Sequence, residues 1–385
     1  MEVYLDNAAT TRPSKDVITE MVRASDQLYG NPSSLHSKGV EVEREIKRVR
    51  RLLARSLVCK ESEIIFTSGG TEANNLAIQG FVTANKHKGN HLVTSKIEHK
   101  SVLELHRKLE KEGCRVTYLD VDSEGFISLS QLEEAITSET ILVSIMHVNN
   151  EVGSIQPIRK ISNIINKINP NIILHVDGVQ SYGKINFTLR DLDVDSFSIS
   201  GHKIHGPKGV GALYIREGLR VSPLLVGGDQ EWKLRAGTEN TPGIIGLGKA
   251  VDLTNENLQV NISKLVDLRK YFYDLLNEKI QRIHFNSGLT EKYSPHIINV
   301  SFLGIKSEII LHSLESDGIF VSAGSACSSK RKDYSHVLEG MNLREDYIES
   351  AIRISLSYTN TREELEYAVM KIKKHVKELR KIIGR

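Results

Sequence analysis

The strongest constraint on the fold is a regular alternation of short apolar segments with amphipathic segments through the first two-thirds of the 385 residues. The apolar segments, which we predict as strands, are 63–67, 91–95, 115–121, 140–147, 172–178, 195–200 and 211–215. Patterns with the period of an amphipathic helix lie between most of them, as in TEANNLAIQGFV after the first strand. This spacing predicts an α/β fold in which a large, mostly parallel sheet is covered on both faces.

The pattern changes after about residue 250. A long helical pattern covers 258–280, predicted strands follow at 297–302 and 352–357, and a second long helix covers 361–383. We therefore expect a large α/β domain over 14–250 and a smaller α+β domain formed by 1–13 and 251–385. The apolar residues of the last helix recur at helical spacing and indicate core or subunit packing: Leu365, Val369, Ile372, Val376, Leu379 and Ile383.

The composition limits the function classes. The 51 basic and 48 acidic residues leave a net charge of +3, which gives no indication of a nucleic-acid partner. The three cysteines, Cys59, Cys114 and Cys327, are too few for a disulfide framework and too far apart for a zinc site, which favours a reducing compartment. The N-terminus lacks a signal-peptide pattern, and no apolar run reaches membrane-spanning length. We expect a cytoplasmic protein with no membrane partner.

The segment SGGTEANN, residues 68–75, stands between a predicted strand and a predicted helix. Gly69 and Gly70 allow the backbone to approach a ligand closely, and the helix N-terminus offers free N–H groups to a phosphate. Thr71 adds a hydroxyl. The Walker lysine is missing, so the segment is not a nucleotide P-loop. Taken alone, the segment is also compatible with a simple helix cap.

Two further segments carry polar side chains beside predicted strand ends. Asp177 in HVDGVQ ends a strand, where α/β sheets bind ligands, although a turn or cap would also place an aspartate there. Lys203 in SGHKIHGPKG lies between His202 and His205, although an ordinary surface lysine would also fit this segment. The two histidines have no third ligand nearby in the sequence, so we expect no metal.

Cys327 lies in VSAGSACSSKRKD, between small residues and a run of four charged residues, 330–333. Small neighbours cannot bury a thiol, and nearby cations favour its thiolate, so the segment predicts an accessible, reactive cysteine. Cys59 and Cys114 lie outside any such setting and are predicted to be structural.

A phosphate cradle, an aspartate at a strand end and a lysine among Ser, Gly and His residues together match what pyridoxal phosphate requires. Lysine binds this cofactor as a Schiff base, the aspartate keeps the pyridine nitrogen protonated, and the helix N-terminus holds the phosphate. The chain resembles the NifS/IscS-type cysteine desulfurases of the class V aminotransferase-like group. The resemblance covers nearly the whole chain, in YLDNAATT, YGNPSSLH, FTSGGTEANNLAI, IEHKSV, VSIMHVNNEVGSIQPI, HVDGVQ, SFSISGHKIHGPKGVGALY, RAGTEN, INVSF, SAGSACSS and IRISLS.

The resemblance implies a fold-type I pyridoxal-phosphate-dependent enzyme and assigns its cofactor residues. Lys203 is the Schiff-base lysine, His99 stacks on the pyridine ring and moves protons, and Asp177 pairs with the ring nitrogen. Gln180 contacts the phenolic oxygen, and Asn150 faces the cofactor and the substrate. The residues implied to hold the phosphate are Gly70, Thr71, Ser200 and His202, with Thr238 from the other subunit of a homodimer.

The resemblance also implies the reaction. Arg353 pairs with the carboxylate of L-cysteine, for which a planar guanidinium is suited. Cys327 attacks the substrate sulfur, which leaves a persulfide and L-alanine, and the sulfur then passes to an acceptor protein such as an iron–sulfur scaffold. A selenocysteine lyase or an aminotransferase on the same fold is the alternative enzyme, and a cofactor-binding interaction protein is the alternative outside enzymes. An aminotransferase has no use for Cys327.

Overall fold

The predicted alternation forms a seven-stranded sheet with helices on both faces. The computed structural model describes residues 1–323 and 334–383. Its strands are β1 (Val3–Tyr4), β2 (Ile64–Thr67), β3 (His91–Ser95), β4 (Arg115–Leu119), β5 (Thr140–Met146), β6 (Ile173–Asp177), β7 (Ser196–Ser200), β8 (Gly211–Ile215), β9 (Ile283–Phe285), β10 (Ile297–Phe302), β11 (Ile319–Phe320), β12 (Ser322–Ala323) and β13 (Ala351–Ser355).

The α-helices connect these strands and cover the sheets. In chain order they are α1 (Lys15–Gln27), α2 (Ser37–Leu57), α3 (Gly70–Asn85), α4 (Lys100–Lys111), α5 (Leu129–Ala135), α6 (Ile158–Ile168), α7 (Leu189–Leu192), α8 (Thr241–Glu256), α9 (Leu258–Lys279), α10 (Ser307–Glu315), α11 (His336–Gly340), α12 (Glu345–Glu349) and α13 (Arg362–Ile383). In the described part of the chain, none of them is long and apolar enough to cross a membrane.

The large sheet has the strand order β2-β8-β7-β6-β5-β3-β4. β8 is antiparallel to both of its neighbours, and every other adjacent pair is parallel. The predicted α/β class with a mostly parallel sheet is therefore confirmed. The seven predicted strands are all present, with ends that differ from the predicted ones by at most two residues.

Successive strand residues divide between two cores, because side chains in a strand point alternately to opposite faces. Leu92 and Leu142 pack on one face with α3 and α4, whereas Val93 and Val143 pack on the other face. All seven residues of β5 are buried, since helices cover both of its sides. This burial explains why β5 is a mostly apolar segment in the sequence.

A smaller antiparallel sheet has the order β12-β13-β10-β9. Its apolar face packs against α9, α10 and α13, with Phe272, Ile298 and Ile352 in the core. Four of the six α13 residues predicted for core or subunit packing, Leu365, Val369, Ile372 and Val376, are buried there, and Leu379 is partly buried against them. β9 and β12 are absent from the predicted elements because segments of two or three residues carry no periodicity. α8 is also absent from them because it is buried and apolar on most of its surface.

The N-terminal segment joins the two sheets. Val3 and Leu5 belong to the core of the small sheet, where Leu5 accepts a hydrogen bond from the backbone N–H of Ser355. A few residues later, the backbone N–H of Thr11 donates to the carbonyl of His202, beside the large sheet. The domain boundaries given above stay a prediction.

Candidate active site

One cavity of about 290 Å³ collects most of the predicted site residues. It lies where β3, β5, β6 and β7 end and α3 begins, which is the edge where open α/β sheets bind ligands. The predicted residues that line it are Gly70, Thr71, His99, Asn150, Asp177, Gln180, Ser200, His202 and Lys203. Residues far apart in the sequence are brought together because each follows or ends a strand of the same sheet.

The predicted phosphate cradle lies at the N-terminus of α3. No side chain in the described ranges caps this helix at Gly69, so its first N–H groups remain available. A Cβ atom at Gly70 would lie 2.6 Å from Cγ2 of Val179, so glycine permits this close approach. The Ser200 hydroxyl is buried and has no hydrogen-bond partner among the described residues. A bound phosphate would satisfy both sets of donors.

His202 lies next to the cradle in a fixed orientation. Its carbonyl accepts from the backbone N–H of Thr11 at 2.8 Å, and its Nδ1 lies 3.2 Å from Oγ1 of Thr10. Burial, followed by the charges of Lys203 and Lys208, lowers the pKa of His202 to about 4. The ring is therefore neutral near pH 7, and it would interact with a bound phosphate through a hydrogen bond rather than through charge.

Asp177 ends β6 and is buried. Its Oδ2 accepts from Nδ2 of Asn74 at 2.8 Å, and its Oδ1 accepts from the backbone N–H of Val179 at 3.0 Å. Two neutral donors thus fix the carboxyl group while it faces the cavity. This geometry suits a carboxylate that pairs with a protonated ring nitrogen.

The Lys203 amine donates to the carbonyls of Ala8 at 2.6 Å and Ala9 at 2.7 Å. Burial, followed by the charge of Arg353, lowers the pKa of Lys203 to about 8. The opposing effects of Asp6 and Asp177 are smaller. A larger fraction of the amine is therefore unprotonated near neutral pH than for an ordinary lysine. Only an unprotonated amine can act as a nucleophile or a base.

Gln180 is held by a buried histidine that the sequence did not indicate. Its Nε2 donates to the carbonyl of Ala8 at 2.8 Å, and its Oε1 lies 3.2 Å from Nε2 of His296. Nδ1 of His296 lies 2.6 Å from the hydroxyl of Ser294. Burial places the pKa of His296 well below its usual value, so the ring is neutral. His296 lies far from Gln180 in the sequence and outside every motif used above.

His99 caps the N-terminus of α4, where its Nδ1 accepts from the backbone N–H of Ser101 at 3.1 Å. The hydroxyl of Ser101 lies 2.8 Å from the same nitrogen. The ring is accessible because it faces the cavity, yet the surrounding protein removes much of the nearby water. This desolvation is the main cause that lowers the pKa of His99.

Arg353 lies on β13 of the small sheet and contacts Asn150, a residue that lines the cavity. One terminal nitrogen donates to the carbonyl of Asn150 at 3.0 Å, and the other donates to Oδ1 of Asp6 at 2.8 Å. Its Nε is buried and has no partner in the described part of the chain. The guanidinium is thus oriented next to Asn150 and retains unused donors for a carboxylate.

Among the described residues, Arg353 and Thr238 are predicted site residues that do not line this cavity. Thr238 is exposed in the segment that precedes α8, and its role at the other subunit stays a prediction. Cys327 lies outside the described residues. The other two cysteines, Cys59 and Cys114, are partly buried, and burial raises the pKa of Cys59 to about 12, which keeps it a thiol.

Some residues of the site were missed although a signal was present. Asn74 lies one helical turn after Gly70 and lines the cavity, so helical periodicity places it on the same face. Ser101 follows His99 by two residues and also lines the cavity. Ala8 and Ala9 act through their carbonyls, and no side-chain pattern reveals such a role.

These observations fit pyridoxal phosphate. An uncapped helix N-terminus and an unpartnered hydroxyl at Ser200 match a phosphate, Asp177 matches a ring nitrogen, and Lys203 supplies an amine with a lowered pKa. All of these groups line the same cavity. A cavity of this size is at the lower end of the range that holds small organic ligands.

Comparison with known proteins identifies the family. Residues 3–368 match the family model described as Aminotransferase class-V. The chain is 44% identical over 381 residues to "Cysteine desulfurase IscS" of Dictyoglomus turgidum, covering 99% of this chain and 96% of that protein. A solved structure named "NIFS-LIKE PROTEIN" superposes with a TM-score of 0.92 at 40% identity, over 97% of this chain and 99% of that one.

A second solved structure is named "SspA in complex with cysteine". It superposes with a TM-score of 0.82 at 36% identity, over 93% of this chain and 100% of that one. Both structures share the overall fold of this chain, at an identity that reflects common descent. The chain belongs to the class V aminotransferase family and, within it, to the NifS/IscS-type cysteine desulfurases.

Proposed function

We propose that this protein is a pyridoxal-phosphate-dependent enzyme that converts L-cysteine to L-alanine and transfers the sulfur to Cys327. The observation that carries the proposal is the cavity in which an uncapped helix N-terminus, Asp177 and Lys203 meet. The overall change is balanced, because the sulfur of L-cysteine becomes the outer sulfur of a Cys327 persulfide and the remaining carbon skeleton is released as L-alanine.

Pyridoxal phosphate, when bound, supplies an electron sink for the electron pair released when a bond to the substrate Cα breaks. The residues that would hold its phosphate are Gly70, Thr71, Ser200 and His202, with Thr238 of the partner subunit. Asp177 would stabilise positive charge on the ring nitrogen, and Gln180, oriented by His296, would donate to the phenolic oxygen. We propose His99 as the residue against the ring face.

The substrate-binding role is proposed for Arg353 and Asn150. The guanidinium is oriented by Asp6 and by the carbonyl of Asn150, so less conformational entropy is lost when a carboxylate binds. The unprotonated Lys203 amine would accept a proton from the substrate and return it to the product carbon. The Arg353 guanidinium and the Lys203 amine belong to elements fixed by backbone hydrogen bonds, which supports precise orientation of the reacting atoms.

The Cys327 role is supported by the described residues on either side of 324–333. Ser322 pairs with Arg353 in the small sheet. After that segment, Ser335 hydrogen-bonds to Oε2 of Glu151, the residue that follows Asn150, and His336 Nε2 lies 2.9 Å from the carbonyl of Glu98, which precedes His99. Both ends are therefore attached to residues next to proposed site residues.

We also propose that the enzyme is a homodimer. Thr238 is exposed and does not line the cavity of its own subunit. The preceding segment exposes apolar side chains, with Leu225 47%, Val226 84% and Trp232 50% accessible. Clustered exposed apolar residues of this kind mark interaction surfaces.

The acceptor is proposed to be a protein thiol, such as that of an iron–sulfur scaffold or a thiolation protein, because a persulfide transfers its outer sulfur to another thiolate. We propose a cytoplasmic location, since a chain with only three cysteines fits a reducing compartment. Incubation of the sulfur-loaded enzyme with a purified scaffold, followed by intact mass measurement of both proteins, tests the acceptor.

The function is tested with Cys327→Ala and the matched control Cys59→Ala. Each purified, cofactor-loaded protein is incubated with L-cysteine alone, and alanine, reductant-released sulfide and the mass of the 327 peptide are recorded. We expect the native protein and the control to form alanine and gain one sulfur on Cys327, whereas Cys327→Ala remains yellow and does neither. Alanine formation by Cys327→Ala at the native rate would instead indicate a lyase or transaminase.

A further inference from the structure

We propose that His99 carries its proton on Nε2 and acts in the cavity as a neutral hydrogen-bond donor, because its Nδ1 is held as an acceptor. The inference deepens the proposed function, on which it rests, by assigning the form in which this ring works. It assigns hydrogen-bond donation to Nε2 of His99 and makes a proton on Nδ1 unfavourable in the resting enzyme.

The first fixed contact is the helix cap. The backbone N–H of Ser101 points at Nδ1 of His99, 3.1 Å away, in the first turn of α4. A backbone N–H can only donate, so Nδ1 must present its lone pair. A proton on Nδ1 would face this N–H and leave a helix-terminal donor without an acceptor.

The second contact is the Ser101 hydroxyl, 2.8 Å from Nδ1. Oγ of Ser101 accepts from Nδ2 of Asn74 at 2.9 Å. Since that oxygen already receives one N–H, its own proton is directed towards Nδ1. Two donors therefore converge on the same nitrogen of His99.

The proton of the Ser101 hydroxyl points towards His99 because the Asn74 amide turns its nitrogen towards Ser101. Asp177 and His175 fix this orientation of the amide. Nδ2 of Asn74 also donates to Oδ2 of Asp177, and its Oδ1 lies 3.2 Å from Nε2 of His175. A flipped amide would point its oxygen at the Asp177 carboxyl group. Burial lowers the pKa of His175 to about 3, so its neutral ring donates from Nε2 to Asn74.

The electrostatic environment also disfavours an imidazolium. The N-terminus of α4, which has 12 residues, carries a partial positive charge next to the ring. Burial lowers the pKa of His99, the charges of Lys203, His336 and Lys100 lower it further, and only Asp177 opposes them. A helix N-terminus that keeps a catalytic histidine neutral is an established arrangement in enzymes.

Nε2 of His99 has no hydrogen-bond partner among residues 1–323 and 334–383, and the ring lines the cavity. Its N–H is therefore free to donate to a bound molecule. The Lys203 amine lines the same cavity, and its pKa of about 8 suits it to accept a proton near neutral pH.

The direct test is nitrogen NMR of the cofactor-loaded enzyme labelled at the histidine rings, with His99→Gln to assign the resonances. We expect an unprotonated Nδ1 and a protonated Nε2 for His99, with no imidazolium formed on lowering the pH through about 6.5, where a free histidine titrates. Ser101→Ala retains the backbone N–H and should keep the same tautomer. A protonated Nδ1, or titration of the ring near 6.5, would overturn the inference.

A functional test compares isosteres. The amide nitrogen of Gln mimics Nε2–H of histidine, whereas that of Asn mimics Nδ1–H. We expect His99→Gln to keep a kcat at least about tenfold above those of His99→Asn and His99→Ala, since one hydrogen bond to a charged group corresponds to such a factor. Equal loss in all three variants would overturn the donor role.

The proposed function and the inference about His99 can be contradicted independently of each other. If the native enzyme shows the expected tautomer but makes no alanine from L-cysteine, the proposed function is wrong and the assignment of His99 stands. If the enzyme makes alanine while His99 titrates as an ordinary histidine, the function stands and this inference is wrong.

Discussion

At the Lys203 amine, two neutral carbonyl oxygens occupy the positions where a carboxylate partner would otherwise stabilise the ammonium ion. The carbonyls of Ala8 and Ala9 accept hydrogen bonds without supplying a negative charge. The ammonium is therefore oriented but poorly compensated, and burial lowers its pKa to about 8. The N-terminal segment thus positions the lysine and leaves it able to lose its proton.

This leads to a prediction for the cofactor-free enzyme. After reductive methylation with carbon-13 formaldehyde, the methyl resonance of Lys203 should titrate with a midpoint of about 8, compared with 10.5 for an ordinary lysine. Below that pH the amine is charged, and above it the amine is neutral. Lys203→Arg, which lacks this resonance, provides the assignment. A midpoint at the ordinary value would show that burial does not control the amine.

At the level of elements, the short helix α11 is connected to the site by its first residues. Ser335 caps the helix by accepting from the backbone N–H of Leu338 at 3.2 Å, and it also hydrogen-bonds to the buried Glu151. Burial raises the pKa of Glu151, with Ser335 as the main opposing influence. A single hydroxyl therefore serves both a helix end and a carboxyl group that is removed from water.

We predict that Ser335→Ala destabilises the loaded enzyme more than loss of an ordinary cap does. The lost cap costs about 1 kcal/mol, and the buried carboxyl left without its donor adds about 1–3 kcal/mol. Ser128→Ala is the matched control, because Ser128 caps α5 by accepting from Gln131 at 3.2 Å but is exposed. The measurement is the urea midpoint of each variant.

Equal shifts for the two alanine variants would contradict the role of Glu151. Ser335→Thr, which keeps the hydroxyl, should recover most of the lost stability. Glu151 directly follows Asn150, a proposed substrate-binding residue. Measuring kcat for the same variants therefore shows whether α11 also affects the reaction.

At the scale of the whole molecule, the strained turn before Thr238 is anchored within its own subunit. Glu231 has a positive φ of 46° and is held by the buried guanidinium of Arg50 through two contacts of 2.7 Å. The guanidinium also lies over the Trp232 ring, 4.5 Å from its centroid. A fixed turn that exposes Trp232 and Thr238 suits a surface that another subunit covers.

We predict that Thr238 serves the other subunit, which a mixing experiment tests. Lys203→Ala and Thr238→Val are each expected to weaken or abolish activity as homodimers. In a heterodimer of the two, the site containing native Lys203 receives native Thr238 from the other subunit, so one native site returns. Separately tagged heterodimers are purified and assayed for alanine formation. If Thr238 acted within its own subunit, mixing would restore nothing.

The sequence by itself determined the α/β class, the mostly parallel sheet and the residues next to strand ends, such as Asp177 and Lys203. Local physics is sufficient for these features, because apolar periodicity sets each element and parallel strands place their carboxyl ends at one edge. The sequence did not determine which groups form hydrogen bonds with the site residues. His296 reaches Gln180 across 116 positions, and Asp6 reaches Arg353 across 347. Only the tertiary structure decided such contacts, because hydrogen bonds between distant residues depend on packing and leave no periodic signal in the chain.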